Sequence, residues 1–352
     1  MSGNASESEQ QQLMEEILIC ADVWLGVFAF LDPFDVGLKM ALISDRLDGL
    51  VDVHFKSRKW SLGRLHILRA TDRNGAQIVV KRSGEWLPIP QGPLPNKVIG
   101  FEGIWISYVD QTVIEFLQSI RRLFNSSGTN VDIGTSVNRS RCWKIIWQKI
   151  WPLLNDNICR FSLDSSQLDR LRQISPAILR NCAKLRSIAS FGLPRGLFPG
   201  CSAIDNAGAS SAQAVAKWLI TRRGDGVPKM LRCDFDSARM EGLKRAFVNA
   251  SEPVNFIICL HSPGIKQFEL NNSLTGEQLT LRRRFNEDFK DKWLLVRCPI
   301  VREEDKWAKW EEEAIELDWY YQWNYIFIDF EHRDIGDGMF DAKAGPSKPP
   351  GK

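Results

Sequence analysis

Hydrophobic positions recur at helical spacing in the first part of the chain. One helix face carries Val23, Val27, Phe30 and Leu31. A second run spaces Val36, Met40 and Ile43 about one turn apart, and a third segment extends from Arg46 to Phe55. Between the first two runs, Asp32 is a plausible N-cap and Pro33 a first-turn residue. The pattern predicts a cluster of short helices joined by tight turns.

After Trp60 the spacing changes from helical to strand-like. Two apolar runs, Leu65–Leu68 and Ala76–Val80, flank a turn with an Asn74-Gly75 step, which predicts a β-hairpin. Further strand-like runs then recur at intervals of roughly 25 to 30 residues, with one longer gap. They centre on Ile106, Val131, Phe161, Ile188, Cys233 and Ile258.

Helical segments are predicted between these strands. Their expected ranges are Thr112–Phe124, Cys142–Leu154, Gln167–Cys182, Ala212–Arg222 and Ala238–Val248. The alternation predicts an α/β fold with irregular stacked βα repeats of the leucine-rich-repeat type, and a conventional parallel sheet is the alternative. Farther on, an antiparallel meander is expected from Gln267–Leu270, Gln278–Arg283 and Trp293–Cys298. A helix at Glu303–Ile315 and an aromatic segment at Trp319–Phe330 would close the fold.

These patterns give a domain plan. Residues 1–14 and 341–352 are polar or rich in Pro and Gly, and both are predicted to be disordered. Residues 15–60 form the helical module, and residues 61–340 form the α/β region.

Charge and cysteine content narrow the function. The 46 Lys and Arg residues nearly balance the 43 Asp and Glu residues, so the net charge of +3 does not favour nucleic acid or an anionic membrane as partner. The apolar run Ile17–Leu31 contains Asp22 and is too short to span a bilayer. The 8 cysteines are scattered without a CxxC pair. We therefore expect reduced thiols in an intracellular protein of the cytoplasm or nucleus.

Catalytic patterns are weak in this sequence. The 4 histidines form no metal-binding or nucleophile motif; His261, near Cys259, is the best single candidate for a dyad, and a structural role is favoured for it. Asp234 and Asp236 could bind a cation but more often would cap a helix. No Gly-rich phosphate loop is present, so no catalytic, cofactor-binding or metal-binding residue is predicted.

Aromatic residues point to packing and to binding. Trp143, Trp147 and Trp151 recur every four residues, which predicts a helix side packed on a strand. A denser group near the end of the chain predicts target contacts, although it could instead close the fold. Its members are Trp319, Tyr320, Tyr321 and Trp323. The basic run Arg282–Arg284 reads as a solvated strand end, with recognition of an acidic target motif as the alternative.

The helical module resembles the F-box family. The resemblance covers roughly residues 17–60 and rests on the segment Ala21–Asp35, in which Phe28 and Leu31 match the family's phenylalanine-x-x-leucine step. Cys20-Ala21 stands where the family usually has Leu-Pro, and Leu47 stands where a tryptophan is frequent. The segment from His54 to Gly63 and the attached α/β region are similar to those of the large nematode-type F-box families.

The resemblance implies a role in protein ubiquitination. An F-box docks on a Skp1-like adaptor, and through it on a cullin, while the α/β region would hold an unknown protein target of a cullin-RING (SCF-type) ubiquitin ligase. The chain itself would be non-catalytic and need no cofactor. The adaptor-binding residues expected on this basis are Val23, Leu25, Phe28, Leu31, Pro33 and Leu38. The alternatives are a ligase-independent interaction scaffold and a hydrolase that uses His261.

Overall fold

The computed structural model describes most of the chain in several stretches. They are residues 19–31, 33–55, 60–90, 92, 98–190, 198–199, 203–261, 265–284, 292–315 and 323–339. The two terminal segments predicted to be disordered lie outside them. The chain divides into two compact units, one of residues Met1–Leu62 with Gly92–Ile99 and one of residues Gly63–Gln91 with Gly100–Lys352. The sequence-based boundary at residue 60 lies close to this division, but the sequence did not predict that Gly92–Ile99 belongs to the first unit.

The first unit is built from short helices. It contains α1 (Ala21–Phe28), α2 (Pro33–Leu38), a 3-10 turn (Met40–Leu42) and α3 (Asp45–Phe55), and strand β1 (Trp60–Ser61) pairs with β5 (Val98–Gly100). Helix α3 packs against both α1 and the 3-10 turn. The buried apolar side chains of these helices are Phe28, Val36, Leu47, Val51 and Phe55. We call this unit the helical unit.

The second unit is an α/β unit. Its strands before the middle of the chain are β2 (Arg64–Arg69), β3 (Ala76–Val80), β4 (Trp86–Pro88), β6 (Gly103–Ile106), β7 (Thr129–Ile133), β8 (Ile158–Ser162) and β9 (Ser187–Ala189). Its later strands are β10 (Lys229–Asp234), β11 (Phe256–His261), β12 (Phe268–Asn272), β13 (Glu277–Arg284), β14 (Lys292–Pro299) and β15 (Tyr325–Ile328). The predicted hairpin, the predicted inner strands and the predicted meander are all present.

Helices connect the inner strands. They are α4 (Gln111–Ser119), α5 (Arg121–Ser127), α6 (Ser140–Ile145), a π-helical turn (Ile146–Ile150), α7 (Trp151–Leu154), α8 (Ser165–Ile174), α9 (Ile178–Asn181), α10 (Ser211–Ile220) and α11 (Ser237–Val248). Helix α12 (Glu304–Ile315) follows the meander, with short 3-10 turns at Asn155–Asn157 and His332–Asp334. Several predicted helices are divided in the structure. For example, α8 ends two residues before Pro176, because the residue before a proline is disfavoured in helical conformation.

A single large sheet organises this unit. In the part of the chain that the structure describes, thirteen strands join in the order β12-β13-β14-β11-β10-β9-β8-β7-β15-β6-β2-β3-β4. The run from β11 to β2 is parallel, whereas the meander at one end and the hairpin at the other are antiparallel. Strands β7 to β11 follow one another in chain order, so each βα unit adds beside the previous one. The protein is therefore an α/β protein with a mostly parallel sheet.

Polar side chains cap the first turn of several helices that follow strands. The side chains of Asp110, Asp164, Ser210 and Asp236 each accept a hydrogen bond from a backbone N–H in the first turn of the following helix. Such a cap contributes about 1 kcal/mol to helix stability. Asp236 therefore has one of the roles that the sequence offered for it, and these four helix starts have a local cause.

Helices cover the sheet on both faces. The Lys229 ammonium bonds to carbonyl oxygens at the end of α10, whereas Met230, the next residue of β10, packs in the cluster that contains Trp307 and Ala314 of α12. Successive side chains of a strand point to opposite faces, so α10 and α12 lie on opposite faces of the sheet. On the α10 face, Trp151 stacks on Phe161 of β8 with ring centroids 5.4 Å apart. The predicted packing of a tryptophan from this helix on a strand is confirmed.

Besides the edge strand β4, the sequence did not predict strand β15. It lies in parallel between β6 and β7, although those strands precede it by about two hundred residues. Its first neighbour, Asn324, has a positive φ of 53° and its amide donates to the carbonyls of Leu123 and Gly128. The aromatic segment therefore ends in a central strand.

Among the described residues, no helix is both long enough and apolar enough to cross a membrane.

Candidate interaction surfaces

The helical unit exposes a stripe of large apolar side chains. Val23 and Val27 lie one turn apart on α1, and Phe30 lies in the turn that directly follows this helix. All are exposed, Phe30 by 92%. We call Val23, Val27 and Phe30 the α1 stripe. Large apolar side chains grouped in this way on a small unit are typical of protein-binding surfaces.

The segment between α2 and α3 exposes further apolar surface. Leu42 is 77% exposed and Ile43 is 64% exposed. Burying such a side chain against a partner removes apolar area from water, which is worth roughly 25 cal/mol per Å². The helical unit thus has more apolar side chains than its own core accommodates.

The residues predicted to bind the adaptor are placed in different environments. Val23 and Leu31 are exposed and Leu25 is half-buried. Phe28 is only 1% exposed, because its ring packs between Trp24 and His54. The side chains of Pro33 and Leu38 lie outside the described part of α2. Phe28 therefore belongs to the core of the unit, and a surface role for it does not fit this structure.

The residues predicted to contact a target are mostly outside the described chain. Trp319, Tyr320 and Tyr321 fall in an undescribed stretch. Trp323 is described, and its side chain is 51% exposed, while its carbonyl accepts from the amide of Asn130. Tyr325, two residues later, is fully buried. Of these two aromatic residues, Trp323 before β15 is therefore exposed, and Tyr325 at the start of β15 is buried.

Two arginines of the basic run Arg282–Arg284 have a partner that the sequence did not predict. Arg282 and Arg284 both donate to the carboxylate of Glu311 on α12, the latter at 2.9 Å. Arg302 approaches the same carboxylate, with its Nη1 3.6 Å from Oε1. Glu311 is almost fully buried. Two of the three arginines therefore fix α12 to the meander. Arg283 and Arg284 are exposed at the end of β13, as the sequence predicts, while the carboxylate that Arg282 and Arg284 bind is Glu311 of this chain.

Helix α12 has a second charged anchor. Glu313 accepts from Arg160 at 2.5 Å, and Arg186 lies 2.9 Å from its other oxygen. Arg160 belongs to β8 and Arg186 directly precedes β9. The helix is thus tied by carboxylates to strands on both sides of its apolar contact with β10, β11 and β14.

A cluster of polar side chains lies near β15, on the sheet face that α12 covers. The Tyr325 hydroxyl donates to Asp132 Oδ2 at 3.1 Å, and Ser162 on the adjacent strand also bonds to this carboxylate. Burial raises the pKa of Asp132 to about 6, and the two hydroxyl hydrogen bonds offset only part of this effect. Asp132 is therefore a carboxyl group that changes its charge near neutral pH.

Among possible catalytic groups, the structure pairs His66 with Ser107. Their Nε2 and Oγ atoms are 2.9 Å apart, and burial, with Lys81 nearby, lowers the pKa of His66. No acidic side chain is recorded on the other ring nitrogen within the described residues, so this pair lacks the orienting group of a triad. The backbone of His261 ends β11, but its side chain is not described. No grouping of three His, Cys, Asp or Glu side chains in the described chain could hold a metal ion.

A cavity of about 610 Å³ lies beside the carboxyl end of α10. Leu179, Cys182, Leu185 and Trp218 give it an apolar lining, and Arg180, Lys217, Arg222, Arg223 and Lys229 surround that lining with cations. Asp205 and Asp225 are its acidic residues. We call it the first cavity. Its size is in the range of ordinary ligand pockets.

A second cavity, of about 570 Å³, adjoins the first. The two share Lys217, Thr221 and Arg222, and the second continues along α11 to Phe247 and Asn249. Together they form a groove that passes the carboxyl end of α10. We call it the α10 groove.

Lys229 supports the floor of this groove. Its ammonium bonds to the carbonyls of Trp218 and Thr221, the latter at 2.6 Å, and lies 5.1 Å from the centre of the Trp218 ring. Burial, with Arg223 nearby, lowers its pKa to about 8. The lysine thereby satisfies carbonyls at the negative end of the helix, which would otherwise repel an anion in the cavity.

Comparison with known proteins identifies no relative. No protein-family model matches the chain, and neither a curated protein nor a solved structure matches it.

The sequence predicted only part of the apolar surface of the helical unit, and it did not predict the α10 groove. Phe30 and Ile43 were placed in helical runs, but neither they nor Leu42 were among the predicted adaptor-binding residues. The α10 groove draws on residues from Leu179 to Arg297, and no local pattern brings these together. The pair of basic residues Arg222-Arg223 after a helical run was its one signal in the sequence.

Proposed function

We propose that the protein is the target-recognition subunit of a cullin-RING ubiquitin ligase. In this role the helical unit docks on a Skp1-like adaptor as an F-box, and the α/β unit holds the protein to be ubiquitinated. The observation that carries the proposal is the α1 stripe, in which three large apolar side chains are presented on a small unit whose core is already filled. The sequence resemblance of residues 17–60 to F-boxes supports the same role.

The α/β unit suits the second half of this role. Strands β7 to β11 add one βα unit after another, which supports a repeat-type arrangement like that of leucine-rich-repeat proteins. Such arrangements present long surfaces built from successive connections. Ubiquitin transfer would then depend on the effective concentration of the bound target, with the chemistry supplied by other subunits.

Adaptor docking is tested by co-precipitation of the full-length chain with a Skp1-type adaptor. We expect Val27→Asp and Phe30→Asp each to weaken binding at least about tenfold, because a charge in an apolar contact costs more than about 1.4 kcal/mol. Leu25→Asp is expected to weaken it less, since Leu25 is half-buried. Phe28→Asp would disturb the core and is not informative.

The matched control is Val301→Asp. Val301 is an exposed apolar residue of the α/β unit, before α12, so its substitution adds the same charge at a distant point of the sequence. Circular dichroism should show the same helix content in all variants. If the wild-type chain fails to bind the adaptor, or if the α1-stripe variants bind as well as Val301→Asp, the ligase role is wrong, and a ligase-independent scaffold becomes the better explanation.

A further inference from the structure

The α10 groove combines an apolar floor with unpaired positive charge. Arg223 is paired with Asp225 at 2.7 Å, and Asp205 lies 3.9 Å from Arg172. The remaining cations of the rim, Arg180, Lys217 and Arg222, are exposed and have no ion pair within the described part of the chain. An occupant that carries negative charge would therefore meet cations that the protein does not itself neutralise.

The floor of the first cavity is apolar and favours an apolar group of the occupant. Leu179, Leu185, Cys182 and Trp218 are buried residues whose surfaces line it. Burial raises the pKa of Cys182 to about 12, so its thiol stays neutral and adds apolar character. A large apolar side chain placed there would bind favourably, because its surface would be removed from water.

Lys229 gives the floor one polar feature. An ammonium has three donors, and two are used by the carbonyls of Trp218 and Thr221. The residue is about nine-tenths buried and lines the cavity. A carboxylate or a carbonyl oxygen of an occupant could accept the third.

The shape of the groove favours an extended occupant. Its two cavities adjoin at Lys217, Thr221 and Arg222, so a ligand that fills both must be elongated. A peptide in extended conformation advances about 3.3 Å per residue and can place an apolar side chain in one cavity and acidic side chains along the shared rim.

From these observations we infer that the α10 groove binds an acidic peptide segment that carries a large apolar side chain. This inference rests on the proposed function, because the segment would belong to the ubiquitination target. Charge complementarity at Arg180, Lys217 and Arg222 provides attraction and orientation, and the apolar lining of the first cavity provides the anchor.

The test is fluorescence anisotropy with the full-length chain and a labelled peptide of about ten residues, in which glutamates flank one central leucine. Two matched probes replace the glutamates with glutamine or the leucine with serine. We expect the acidic leucine peptide to bind at least about tenfold more tightly than either. Its affinity should fall as salt is raised, because the rim cations are exposed to solvent.

Variants locate the binding. The double substitution Arg180→Glu and Arg222→Glu should weaken binding of the acidic leucine peptide at least about tenfold. Ala183→Trp, at an exposed position that lines the first cavity, should remove the preference for leucine over serine. The control is Arg121→Glu with Lys149→Glu, which reverses two exposed charges on other helices and should leave binding unchanged.

The outcomes separate this inference from the ligase role. Failure of the acidic leucine peptide to bind at about 1 mM, or equal binding by the Arg180/Arg222 variant, overturns the groove assignment even where the adaptor still co-precipitates. Peptide binding without adaptor docking would instead overturn the ligase role and leave the groove assignment standing.

Discussion

Glu311 shows how a single buried carboxylate can organise its surroundings. It receives hydrogen bonds from Arg282 and Arg284, and Arg302 lies within ion-pair distance. Glu311 and Arg302 are both nearly buried, whereas Arg282 and Arg284 are more exposed. The Glu311 carboxylate thus neutralises the buried guanidinium of Arg302. It also binds Arg282 and Arg284, which are partly exposed to water.

The first prediction at this scale concerns that carboxylate. Glu311→Gln keeps the volume but removes the charge, which leaves Arg302 without its buried counter-charge. We expect the free energy of unfolding to fall by about 2 kcal/mol, less than for a fully buried pair because two of the arginines are solvated. Urea unfolding measures it. Glu303→Gln, which breaks an exposed pair with Lys306 of α12, serves as control and should leave the midpoint unchanged; an equal midpoint for Glu311→Gln would contradict the account.

The second prediction concerns Asp132. Its pKa of about 6 in the folded chain lies above the value near 4 expected when unfolded. The folded state therefore binds this proton more tightly than the unfolded state does. The protonated carboxyl stabilises the fold fully below pH 4, and this stabilisation is lost as the pH rises through 6. Between pH 4 and pH 7 this group should lower the free energy of unfolding by about 2 kcal/mol.

Replacement by asparagine isolates this effect. Asp132→Asn keeps an acceptor for the Tyr325 hydroxyl but cannot ionise. The free energy of unfolding of the variant minus that of the wild type should therefore rise by about 2 kcal/mol from pH 4 to pH 7. Urea unfolding at both pH values gives the difference. A constant difference across this range would show that Asp132 ionises without cost to the fold.

At the scale of elements, β15 completes the sheet. Its removal would leave the edges of β6 and β7 unpaired and would take Tyr325, Ile326 and Ile328 from the core. Asn324 also links the strand to backbone groups at Leu123, Gly128 and Phe101. The strand is thus tied to its neighbours along its length and at its start.

A truncation tests this dependence. A chain that ends at residue 322 should lose the cooperative unfolding transition of the α/β unit and become sensitive to protease, because buried apolar surface and strand edges become exposed. A chain that ends at residue 340 keeps β15 and should unfold like the full-length protein. Limited proteolysis and thermal unfolding compare the two. A cooperative transition in the shorter chain would show that β15 is dispensable.

Most elements were predictable because their causes are local. The inner strands were found from apolar runs, and helix starts follow from caps such as Asp164 and Ser210. The divided helices were not predicted, since Pro176 was not given weight against the periodicity. Strand β15 was missed because the partners of Tyr325–Ile328 lie far away in the sequence, and an aromatic run has no local mark of a central strand.

At the scale of the whole molecule, two compact units carry two separate proposals. The α1 stripe belongs to the helical unit and the α10 groove to the α/β unit. Variants of one surface should therefore leave the other function intact, because residues without shared partners contribute independently. A chain with both functions would bring a bound peptide segment to a bound adaptor without any bond chemistry of its own.

The sequence by itself determined the class of the α/β unit, the meander and the positions of the short helices, because periodicity, caps and turns act between near neighbours. Only the tertiary structure decided that Phe28 is a core residue, that Arg282 and Arg284 bind Glu311, that β15 enters the middle of the sheet, and that a cationic groove lies beside α10. Each of these depends on which distant segments pack together. Burial and charge pairing between such segments leave no regular spacing in the chain.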